Sequence, residues 1–94
     1  MTLEDEYKLF VEAYYGVLLV NEYPLKEYAL KNIEEKIKNF ENTYIDVPYE
    51  KIKEYVKDKV SDRTKLQSSL IVLNSINYDM DLILLIKEKL KNEK

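Results

Sequence analysis

The sequence predicts an all-α fold, a compact bundle of four to five short helices within one domain spanning residues 1–94. Three observations predict it. The chain has 94 residues, which suits one domain with one modest core. It holds only one Gly and two Pro, too few turn residues for an all-β fold. Its apolar residues recur at three- and four-residue steps, as on the buried face of a helix.

The first helix is expected from about Leu3 to Val20. Thr2 can cap it, and Glu4, Asp5 and Glu6 complement the positive end of its dipole. Tyr7, Phe10, Val11, Tyr14, Val17 and Leu18 form its inner face, and Gly16 would let another helix approach closely. Pro24 ends the preceding segment and suits the first turn of a second helix reaching about Phe40. Leu25, Tyr28, Ala29, Ile33, Ile37 and Phe40 are its inner stripe, and Lys26, Lys31, Glu34, Glu35 and Lys38 its solvated face.

Glu41 to Val47 is a loop in which Tyr44 and Ile45 are expected to pack back on the core. Asp46 or Val47 then caps a third helix with Pro48 in its first turn and Ile52, Tyr55, Val56 and Val60 inside. Ser61 or Asp62 caps the next. From there to about residue 92 a seven-residue pattern runs through Leu66, Leu73, Met80 and Lys87, and through Ser69, Ile76, Ile83 and Leu90. One long helix would keep that seam. The weak helix formers Asn77, Tyr78 and Asp79 favour a break instead. The last four residues, Lys91 to Lys94, are expected to fray.

Composition removes several function classes. There is no Cys, hence no disulfide, thiolate zinc site or Cys nucleophile, and no His, hence no Ser–His–acid triad. Ser61 reads as a cap, and Ser68 and Ser69 as packing or surface residues. Asp79 and Asp81 do not share a helical face, and they lack the Gly and distal Glu of a calcium loop. The chain is therefore expected to be no enzyme, with no cofactor and no metal. No export signal or membrane span is visible, so a cytoplasmic protein is expected.

The net charge is −3, without the basic excess of a generic nucleic-acid binder. Nine of the eleven aromatic residues are Tyr. Codon bias in an AT-rich genome accounts for most of that, with a Tyr-rich binding surface as the secondary account.

Two functional readings remain. In the first, the chain binds a protein partner, as a regulator or inhibitor of the kind found in phages, plasmids or immunity systems. The motive is apolar excess: Tyr14 to Val20 and Leu82 to Ile86 are greasy on every side of their helices. So small a bundle is expected to leave part of that surface at an interface, most simply a homodimer. Tyr15, Leu19, Leu82, Leu85 and Ile86 are the candidate contacts, and plain burial in a five-helix core is the competing account. In the second reading, residues 49–74 form a helix-turn-helix that binds DNA through Arg63, Thr64, Lys65 and Gln67, side chains able to reach phosphates and base edges. Against it stand a turn without Gly, a long spacing from Tyr55 to Leu66, and no strand pair for a wing.

Overall fold

A computed structural model describes residues 2–92. Five helices follow one another, α1 (Leu3–Leu18), α2 (Lys26–Thr43), α3 (Tyr49–Lys59), α4 (Asp62–Ser75) and α5 (Met80–Asn92), with no strand among the described residues. Helix α1 is central. It packs on α2, α3 and α4, while α5 packs on α4. No helix among the described residues is long and apolar enough to cross a membrane.

Helix α1 starts where its cap directs. The Thr2 hydroxyl accepts from the Asp5 amide at 3.1 Å, satisfying one of the free donors of the first turn. The helix closes two residues earlier than expected, because the amides of Leu19 and Val20 turn to Gly16 O and Val17 O at 3.1 and 3.0 Å. Gly16 has the expected role. A Cβ there would stand 2.2 Å from Lys65 O and 2.8 Å from Ser69 Oγ, so α1 and α4 touch backbone to backbone at this point.

Helix α2 runs from Lys26 to Thr43, starting later and ending later than the sequence suggests. Its last turn is held from outside: the Tyr49 hydroxyl donates to Phe40 O at 3.4 Å and also to Tyr44 O. Leu25 and Tyr28, expected inside, lie exposed, because the stripe that meets α1 is Ala29, Ile33, Ile37 and Phe40. The Tyr44 ring does lean on Phe40, with centroids 4.7 Å apart, but Ile45 stands in solvent. In α3, Val56 is buried and Tyr55 half exposed.

Helices α4 and α5 are separate, and the break falls at Asn77 to Asp79 as expected. Asn77 adopts φ 51°, the left-handed region. Its amide bonds Asn74 O at 3.2 Å and the Tyr78 amide bonds Leu73 O at 3.0 Å, the pair of bonds that ends many helices at a Gly. Asp79 then starts α5, its carboxylate accepting from the Asp81 amide at 3.1 Å. Lys91 and Asn92 are still helical, and the remaining residues expected to fray, Glu93 and Lys94, lie outside the described ones.

The core gathers Tyr7, Val17, Ile33, Val56, Leu66, Leu73, Leu82 and Ile86 around α1 and α4. Each side chain of this size contributes about 1.5–3 kcal/mol when removed from water. One acid is carried inside with them. Glu12 accepts from the Ser68 hydroxyl at 2.7 Å and lies 3.4 Å from the Lys8 ammonium, though that second carboxylate oxygen receives no hydrogen bond.

Candidate protein-binding trough

Where α1 and α2 diverge, a trough opens along the surface. One part, about 360 Å³, is lined by Val11, Tyr14 and Tyr15 of α1, by Glu34, Ile37, Lys38 and Glu41 of α2, and by Lys53 of α3. Tyr14 and Glu34 also line a second part, about 470 Å³, bordered by Glu27, Tyr28, Leu30 and Lys31. The two parts therefore adjoin at Tyr14 and Glu34.

Helical spacing explains the lining. Ile37 and Val11 sit at the edges of the two inner stripes, so they supply the apolar floor. Tyr14 and Tyr15 are partly buried and pack edge to face, with centroids 5.8 Å apart at 88°. On the rim, Lys38 pairs with Glu34 at 3.2 Å and Lys53 with Glu41 at 3.0 Å.

Glu41 ties the trough to the core. Burial alone would raise its carboxyl pKa, but the hydrogen bond from the Tyr7 hydroxyl and the contact with Lys53 win and hold it below the usual range. The same bond works in reverse on Tyr7. Burial first, then the Glu41 carboxylate, push its phenol far above the ordinary value. Burial, with the charge of Glu41, also raises the Tyr49 phenol. Behind Glu41 the Tyr7, Phe40 and Tyr49 rings form a cluster with centroids 4.6 to 6.4 Å apart.

The candidate contacts from the sequence scatter. Tyr15 lies in the trough. Leu19 and Leu85 are partly buried and pack against the core. Leu82 and Ile86 are not surface residues: four apart, they share the inner face of α5 with Ile83 and are fully buried in the chain's own core. The bundle hides more of its greasy segments than expected, and of those segments Leu18 and Leu84 are left as exposed large side chains.

The DNA-contact set is also divided. Arg63 and Gln67 are exposed and Thr64 is partly buried. Lys65 is withdrawn, 9% exposed, its ammonium donating to Lys57 O at 3.5 Å and standing 5.5 Å over the Tyr15 ring. It lies on the side of α4 that meets α1, so it is no part of a recognition face. Ser68, read from the sequence as a packing or surface residue, points inward to Glu12.

Val11, Tyr14, Ile37 and the Glu34–Lys38 pair were missed as site residues, since each fits an ordinary inner stripe or solvated face. The one usable signal was the alternation of Glu and Lys along α2. Among the described residues, no group of three or more acids stands close enough to hold a metal ion. No protein-family model, curated protein or solved structure matches the chain.

Proposed function

We propose that this chain acts in the cytoplasm as a non-catalytic binding protein, regulating or inhibiting a protein that it holds in the α1–α2 trough. The trough itself carries the reading: an apolar floor with two tyrosines, a rim of paired charges, and walls made of helices. Tyr is favoured at binding surfaces because it offers a large, stiff contact with a polar tip. The rim charges give orientation and selectivity more than affinity.

The test is a photo-cross-linking residue placed at Lys38 on the rim and, as a control, at Lys87 on α5. In the source cell the Lys38 position is expected to form a discrete cross-linked product that the Lys87 position does not. A trough position that captures nothing would remove the reading.

A further inference from the structure

The two parts of the trough are offset by a fixed step. One takes its α2 lining from between Glu34 and Glu41, the other from between Glu27 and Glu34. The offset is seven residues, two helical turns, which is about 10 Å along the axis and only about 20° around it. Ile37 and Leu30, the apolar α2 residues of the two parts, are separated by the same step. Resting on the binding role above, we propose that the trough receives an amphipathic helix of another protein, laid along α2. That helix carries bulky apolar side chains seven residues apart, with a basic residue beside one of them.

A helix meets the spacing in both distance and direction, because its own residues i and i+7 repeat the same offset on one face. An extended segment does not. About 10 Å is three residues of strand, and side chains three apart point to opposite faces. Charge then distinguishes the two parts. Beside Ile37, Glu34 is paired with Lys38 at 3.2 Å and Glu41 with Lys53 at 3.0 Å, so the side chain that enters there meets compensated charges and is itself uncharged. Beside Leu30, Glu27 and Lys31 are exposed and have no ion pair among the described residues. Around α2, Glu27 lies about 60° from Leu30 and Lys31 about 100°, so Glu27 faces the occupant more directly. A Lys or Arg next to the partner's second apolar anchor therefore meets Glu27.

The test titrates the isotope-labelled chain with synthetic Ala-rich helical peptides, each of about 18 residues so that the helix forms. One peptide carries Leu at two positions seven apart, with Lys one turn beyond the second. A control moves the two Leu to five apart, which puts them on different sides of the helix. Amide NMR shifts at Tyr14, Leu30 and Ile37 are expected with the first peptide, with affinity about tenfold above the control, the ratio that one buried Leu supplies. Replacing the peptide Lys by Glu should weaken binding, and Glu27→Lys in the chain should reverse that preference without changing its helix content, since Glu27 is exposed. Equal affinity for the two spacings overturns the proposal, as does indifference to the Glu27 reversal. Shifts at these residues on concentrating the chain alone would hand the trough to a second copy and overturn it too. If no peptide binds while the Lys38 position still cross-links a protein in cells, the helical partner falls and the binding role stands. If that position also captures nothing, both fall.

Discussion

The Tyr23 hydroxyl donates to Asp79 Oδ2 at 2.6 Å, joining the α1–α2 connection to the α4–α5 turn across 56 residues of sequence. Asp79 also caps α5, so one carboxylate both starts a helix and fastens it to the far side of the chain. The bond from Tyr23, then the Asp81 amide, outweigh burial and hold the Asp79 carboxyl below its ordinary range. Burial and the same bond raise the Tyr23 phenol.

Acid should therefore loosen the fold. Asp79 and Glu41 have lowered pKa values in the folded chain, so the unfolded chain binds protons first as the pH falls. Their stabilisation is complete above the unfolded carboxyl value of about 4 and is lost as the pH drops through the lower folded values. Urea midpoints are expected to be level near neutrality and to decline below that range. Tyr23→Phe should lower the midpoint at neutral pH and make the decline shallower. An unchanged acid limb in that variant would contradict the linkage.

Gly16→Ala tests the α1–α4 contact. Alanine is the better helix former by about 1 kcal/mol, so an open site would gain stability. Here the new methyl meets the Lys65 backbone, which cannot step aside as a flexible side chain would. A net loss of about 1–3 kcal/mol is expected from overpacking, read from urea unfolding.

At Asn77, the left-handed backbone decides the outcome. Asn77→Gly should be neutral or stabilising, because Gly enters this region without steric cost. Asn77→Val should lose about 1–2 kcal/mol, since a branched side chain collides with its own backbone there. Equal effects of the two changes would mean that the turn tolerates any residue.

Lys65 separates packing from DNA contact. Its stem is buried and its ammonium is engaged with Lys57 O and Tyr15. Lys65→Ala is expected to lower the melting temperature, whereas Gln67→Ala, on the exposed side of α4, should not. No salt-sensitive binding to duplex DNA is expected in filter or anisotropy assays. Tight binding abolished by the Arg63→Ala, Lys65→Ala pair would reverse this assignment.

Much of the helical order was legible because each signal is local. Thr2 and Ser61 cap the helices they precede, Gly16 marks a close crossing, and the cluster at Asn77 breaks the seven-residue seam. The trough was not legible, because its floor and rim come from three helices whose relative placement no short window contains. Ile37 and Lys38 are neighbours in sequence, one an inner residue and one a solvated residue, and only the position of α1 makes them the floor and rim of one hollow.

By itself the sequence determined the order of the helices and, to within a few residues, where the chain breaks between them, since caps, turn residues and apolar spacing act locally. Tertiary structure alone decided which greasy side chains are hidden. Leu82 and Leu84 are the same residue type two positions apart, a rotation of about 200° on a helix, so one enters the core and the other meets solvent. Which side of α5 faces inward depends on the helix it packs against, and that choice is made by the whole bundle at once.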